Sequence, residues 1–421
     1  MDVTASVSRL AAAASFLLRM LTGRSLQPSH AGVLLRADDA GLHLVATDGE
    51  VVVHLHTPAT VHTPGEVVVP RRAVADTLTS LDAADARLTV QGGRLSIRVP
   101  GARFALPSLP DATPPPVHLP PAHGTVTGDD LRTAAVPVAG AASREHALPL
   151  FTGVRLRAHT TTLSLLATDR FRLAAAAIPW HPTATPAPLR PPSTTPLATP
   201  TTEPTAHKAA TARAAVDALT PTTVPATETV ARETATGRAG VEALVPAAVL
   251  ARAAQHLSRE ETIHVHADDD LFALSWDGGS ITTPTLGTGY PDAQMSRLLD
   301  ISAICTVETD ADTLAQAVDR ATAYGGPHGR VTLQPIEGAL LVHADDPLTG
   351  ESEQTLKATT DGTHVVRSFQ ARLLLDALRA FPHHPVRLQF QPDLRATAFT
   401  ASLPTTTLNY LVVPLRTPPT T

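Results

Sequence analysis

Apolar and polar residues alternate with period two through most of the chain. The alternation is cut into short segments by Thr, Asp, Gly and Pro, which predicts many β-strands joined by tight turns. In "LSLLATDRFRLAAA", from Leu163, an apolar run reaches the Thr168-Asp169 pair, good turn chemistry because both side chains can bond nearby amides. The alternation that follows puts Phe171 and Leu173 on one strand face and Arg170 and Arg172 on the other. A different period opens the chain. Leu10, Ala14, Leu17 and Leu21 recur at helical spacing with Arg9 and Arg19 off that face, which predicts an amphipathic helix.

The strand–turn–strand unit recurs. "LHLVATDGEVVVHL" from Leu42, "LSLLATDRFRLAAA" and "ALLVHADDPLTGES" from Ala339 share it. Each is followed by a strand running into an amphipathic helix: "VVVPRRAVADTLTSL", "ALVPAAVLARAAQHL" and "VVRSFQARLLLDALRAF". Pro70 and Pro246 suit the helix starts. Each unit also opens on a helix, and Asp129, Asp130, Asp310 and Asp312 sit where acids complement a helix dipole. Matching landmarks lie 22 residues apart in the first unit (Asp48 to Pro70), 25 in the third (Asp345 to Gln370) and 77 in the second (Asp169 to Pro246). The excess of roughly 55 falls between 181 and 238, a Pro-, Thr- and Ala-rich stretch without aromatics that reads as a mostly disordered insertion. Without it the chain is three units of about 120 residues, an ordinary domain size. The predicted domains are 1–122, 123–300 with the insertion at 181–238, and 301–421. Strands outnumber helices in each, so the fold class is α+β.

Composition narrows the chemistry. Aromatics are 3% of the chain, so its cores must be built from Leu, Val and Ala. Almost every basic residue is arginine, Lys208 and Lys357 being the only lysines. The net charge of −6 argues against a generally basic nucleic-acid binder, though not against a local basic surface. Cys305 alone excludes an internal disulfide and an all-cysteine metal site, and it reads as an inert buried thiol. No apolar run spans a bilayer, and Asp2 and Arg19 spoil the N-terminal stretch as a signal peptide, so a soluble cytoplasmic protein is expected. His264 and His266, like His54 and His56, could hold a metal if a third ligand converged. Such residues more often occupy the solvent face of a half-exposed strand, and no metal or other cofactor is assigned. There is no nucleophile elbow or Walker loop, and "GTGYPD" lacks the third glycine of a dinucleotide fingerprint, which leaves an enzyme little support.

The residues resemble a known family, the bacterial sliding clamp, the beta subunit of DNA polymerase III. "LPLFTGVRLRAHTTTLSLLATDRFRLAAAAIPW" from Leu148 is similar to the family's middle domain. "RFALPSLP", "GYPDAQMSRLL" and the terminal "NYLVVPLR" agree in order and position. The resemblance implies a non-catalytic subunit of three sheet-plus-helix domains that pairs head to tail into a homodimeric ring around duplex DNA. It binds DNA without regard to sequence and tethers DNA polymerase III, clamp-loader subunits and other clamp-binding proteins. Carried over, a partner-peptide pocket takes Phe151, Thr168, Arg170, Phe171, Arg172, Leu173 and Pro246, with Val412, Val413, Pro414, Leu415 and Arg416. DNA contacts fall on Arg24, Arg72, Arg9, Arg19 and Arg252, and the dimer interface on Phe104 and Leu106 against Ala323 and Tyr324. A diverged clamp paralogue, or an interaction scaffold that does not encircle DNA, is the alternative reading.

Overall fold

The computed structural model describes residues 1–21, 28–109, 114–145, 148–183, 241–287 and 289–416. Most of the predicted insertion, and the DNA-contact candidate Arg24, lie outside these residues. The insertion's first residues do not: His181 and Pro182 pair with Gly124 and Thr125 as a short antiparallel strand. Trp180 fixes that pairing. Its ring sits so close to Gly124 that a Cβ there would lie 2.3 Å from the indole.

The chain repeats one plan three times. A strand leads directly into a helix, four strands follow, the last of them short, and a further strand leads into a second helix before three closing strands. The opening helices are Val7–Met20, Gly128–Gly140 and Ala311–Thr322; the second helices are Arg71–Thr79, Ala247–His256 and Ala371–Leu378. The two helices of each repeat pack together beneath its strands. The expected face of the first helix is observed, with Leu10, Ala14 and Leu17 buried and Arg9 and Arg19 exposed. Leu21 caps that helix instead of extending it, its N–H bonding Leu17 O. Thr127 Oγ1 accepts from the Asp130 amide, and the Asp310 carboxylate accepts from Thr313, so local hydrogen bonds start both later opening helices. Pro70 and Pro246 are caps, one residue before the helix.

Sheet order shows how the repeats join. The strand after the first repeat's Thr-Asp turn, Val52–Thr57, pairs with the last strand of the second repeat, Gly279–Pro284. The strand after the second turn, Arg172–Pro179, pairs in the same way with the last strand of the third repeat, Thr407–Val412. Each seam thereby completes a nine-stranded antiparallel sheet. Among the described residues the counterparts of the seam strands, Ala102–Pro107 (last strand of the first repeat) and Gly350–Lys357 (the strand after the third turn), each form one edge of a five-stranded and a four-stranded sheet.

Leu, Val and Ala fill one continuous core, with Phe369, Phe381, Phe390, Phe399 and Tyr410 concentrated in the third repeat. Cys305 is buried there, and burial pushes its thiol pKa up, which keeps it inert. Among the described residues no helix is long and apolar enough to cross a membrane.

Candidate functional site

The turn that carries the candidate pocket is built by its own side chains. Thr168 Oγ1 donates to Arg172 O (2.6 Å) and accepts from the Arg170 amide (3.1 Å), while Asp169 Oδ1 accepts from the amides of Phe171 and Arg172 (3.0 Å each). Asp169 Oδ2 also holds Arg172 Nε at 2.9 Å. The Arg172 guanidinium, 7% exposed, bonds the Asp376 carboxylate from helix Ala371–Leu378. Arg172 is therefore committed to the helix side of the sheet, together with its strand partner Val412.

The opposite face is apolar. Leu173, 3% exposed, packs with Leu411 and Ala398, flanked by Leu166, Met295, Leu299, Ile301 and Ala396. At its open end Phe171 (57% exposed) and Val413 (42%) stand side by side, joined by the bond from Val413 N to Phe171 O at 2.9 Å. Pro414 is buried beyond them and Leu415 half-buried, with its amide bonding Ser368 O at 2.7 Å; Arg416 is exposed. Arg170 has φ +80, and its guanidinium carbon lies 5.8 Å from the Phe151 ring centre and 5.9 Å from that of Phe171. The two domains thus supply one patch of apolar anchors with a cation at its rim, a geometry suited to a short anchored peptide.

Three expected members do not join this patch. Val412 faces the helices, as does Arg172. Pro246 pairs with Gly153 at the far edge of the same sheet, three strands from Leu173 and so roughly 14 Å away. Met295 and Leu299, on and just after the linker helix Asp292–Leu298, close the wall instead. Their i, i+4 spacing within "GYPDAQMSRLL" was the available signal. Arg155 holds that linker, with Nη2 3.0 Å and Nε 3.3 Å from the Asp292 carboxylate and Glu242 as a second partner.

His266 and His54 are engaged by the protein, and His264 is exposed. His266 Nδ1 donates to Pro120 O (2.9 Å) and its Nε2 meets Ser275 Oγ (2.8 Å), and burial pushes its pKa down. His54 stacks on His43 with the rings 5.2 Å apart.

Arg9, Arg19 and Arg72 are exposed on the helices and Arg252 is half-buried. Arg71 is structural, buried and donating to Thr47 O and Leu21 O. Arg19 and Arg132, from different repeats, both approach His256, whose pKa falls through burial first and then through those two cations. Arg19 and Arg132 thus lie near one another on the helix side of the first seam. Phe104 and Leu106 are half-buried on the free strand Ala102–Pro107. At the other free edge Ala323 and Tyr324 are exposed, and the Tyr324 ring lies beside Gly350.

Residues 1–118 match the model of the DNA polymerase III beta subunit N-terminal domain, and residues 300–416 match that of its C-terminal domain. The chain belongs to the beta sliding clamp family. The Micrococcus luteus beta sliding clamp is 33% identical over 183 residues, 43% of this chain and 59% of that protein. The Streptomyces coelicolor clamp is 34% identical over 174 residues, 41% of this chain and 46% of the relative. The chain therefore matches about half the length of these curated clamps. The crystal structure of a Pseudomonas aeruginosa sliding clamp bound to griselimycin shares the fold over 99% of this chain and 100% of its own, with a TM-score of 0.79 at 19% identity. That likeness carries the fold through the middle repeat as well.

Proposed function

We propose that this chain is a non-catalytic cytoplasmic sliding clamp. Two copies close head to tail around duplex DNA and hold DNA polymerase III, clamp-loader subunits and other DNA enzymes through the pocket at the second seam. The observation that carries this reading is the pair of unmatched edges. Both internal seams join the strand after a Thr-Asp turn to the last strand of the next repeat, so the strands Gly350–Lys357 and Ala102–Pro107 are each other's natural partners in a second copy. Their union would make another nine-stranded sheet, and a heterologous contact of this kind closes into a ring when the rotation completes in two copies. The basic group at Arg19 and Arg132 supports a helix-lined inner surface that meets phosphates without reading bases. A closed ring acts by topology, keeping its partners at high effective concentration beside the template.

The internal seams also fix the expected register. Leu109, Leu286 and Leu415 are equivalent, because each donates its amide to the strand before its repeat's second helix (Val68, Leu244 and Ser368). In the third repeat the turn aspartate is Asp346, which accepts from the Leu348 and Thr349 amides, and not Asp345 as the sequence comparison has it. Counted as in the pairs Leu173–Leu411 and Val52–Thr282, Ser352 of one copy would lie opposite Arg103 of the next. The double variant Arg103→Cys/Ser352→Cys should form a covalent dimer under oxidation, with the buried Cys305 adding no background. The cross-linked dimer should remain on nicked circular DNA and leave when the circle is cut. Absence of the covalent dimer, or equal loss from circular and linear DNA, would overturn the proposal.

A further inference from the structure

The first and second Thr-Asp turns have the same backbone hydrogen bonds, yet the residue at the left-handed position differs. Gly49 has φ +101 in the first, and Arg170 has φ +80 in the second. A side chain at such a φ is strained relative to glycine, and a persistent outlier of this kind points to a use for the side chain. Arg170 stands over the Phe151 and Phe171 rings, its guanidinium half exposed. The patch's other cation on this turn, Arg172, is consumed by Asp169 and Asp376. The carboxylate nearest Arg170 is that of Glu145, 3.9 Å away and itself exposed, so the guanidinium's N–H groups remain open to a carboxylate brought from outside.

We infer that Arg170 makes the pocket selective for acidic peptides: a partner segment whose apolar anchors fill the Phe171–Leu173–Val413 face and whose adjacent carboxylate reaches the Arg170 guanidinium. Phe151 and Phe171 hold that guanidinium face-on by cation–π contact, which limits its rotamers and leaves its edge to form charge-assisted hydrogen bonds. Glu145 lies where it competes weakly for the same edge. This inference rests on the peptide pocket assigned above and adds the chemistry of the residue beside the anchors.

The test is a fluorescence-anisotropy titration of the full chain with two labelled peptides, Gln-Leu-Asp-Leu-Phe and its isostere Gln-Leu-Asn-Leu-Phe. Wild type should bind the Asp peptide about three- to tenfold more tightly, and the preference should shrink at 0.5 M salt. Arg170→Gly should erase the preference by weakening the Asp peptide more than the Asn peptide, since glycine is at ease at that φ and the anchors remain. Glu145→Gln should widen the preference. Equal binding of the two peptides by wild type, or a parallel loss of both in Arg170→Gly, would overturn the inference while leaving the pocket standing. Failure of wild type to bind either peptide, or equal binding by Leu415→Asp, would overturn the pocket and this inference with it.

Discussion

The two internal seams are near-copies in backbone and opposites in side chains. At the first, Thr47 Oγ1 donates to Val51 O at 2.8 Å, and Asp48 Oδ1 accepts from the amides of Glu50 (3.3 Å) and Val51 (2.9 Å). Thr168 and Asp169 repeat these bonds for Phe171 and Arg172 at the second. Where the second seam places Arg170, Phe171 and the buried Arg172, the first places Gly49, Glu50 and the buried Val51. The turn is thus a scaffold that the fold needs at both places, and its three variable side chains are free to specialise. One seam is closed by an apolar residue and a glycine. The other carries a buried ion-pair network on its helix side and an open apolar patch on the other.

The largest break in this comparison should come from the aspartates. Asp169→Ala and Asp48→Ala each remove an acceptor for two turn amides, but only Asp169→Ala also strips a hydrogen-bonded carboxylate from a buried guanidinium, since Asp48 reaches the buried Arg71 only by longer-range attraction. We expect a loss of about 3 kcal/mol for Asp169→Ala and about 1 kcal/mol for Asp48→Ala. Chemical unfolding of the two variants under identical conditions checks this, and equal losses would mean that Arg172 does not depend on Asp169.

Exchanging the left-handed residues gives an intermediate effect. Gly49→Arg puts a Cβ 2.6 Å from the His30 ring at a φ that glycine tolerates best, so it should cost about 1–3 kcal/mol. Arg170→Gly should stay within about 0.5 kcal/mol of wild type, because a surface side chain is lost and backbone strain is relieved. Thermal melts of both variants separate the two outcomes.

The smallest expected effect is a pH dependence confined to the first seam. His54 is on the seam strand and stacks with His43, with His56 beside them; Arg36, Asp38 and Glu66 complete the charged groups near this face. Burial, followed by the like charges of His43 and His56, lowers the His54 pKa below its ordinary 6.5. The unfolded chain then binds the proton more readily than the folded one. The stabilising contribution is fully present above pH 6.5 and is lost as pH falls from there through the folded value. Protection factors across Val52–Thr57, corrected for the intrinsic pH dependence of amide exchange, should fall below pH 6.5 and lose that slope in His54→Asn, while those of Arg172–Pro179 show none. A parallel slope at both strands would remove the histidines as its cause.

How far the sequence could be read follows from the range of each interaction. Phe171 and Leu173 share a face because strand geometry alternates side chains locally, and the structure keeps that parity, with Phe171 exposed in the turn and Leu173 buried. The same alternation could not say that Arg172 would find Asp376, 204 residues away, and so turn from a candidate peptide contact into a buried strut. Pro246 was drawn to the pocket by the family resemblance. The sheet order, set by pairings of distant segments, carries it to the opposite edge and brings Met295 and Leu299 in its stead.

The sequence by itself determined the threefold repeat, the α+β class, the amphipathic face of the first helix and the self-capped Thr-Asp turns. All of these depend on residues within a few positions of one another, where covalent geometry and local hydrogen bonds decide. Only the tertiary structure decided which strands meet at the seams, which arginines are consumed by buried carboxylates, and that Ala102–Pro107 and Gly350–Lys357 stay at sheet edges. Those outcomes depend on burial and on pairings between remote segments, whose free energy exists only once the whole sheet has formed.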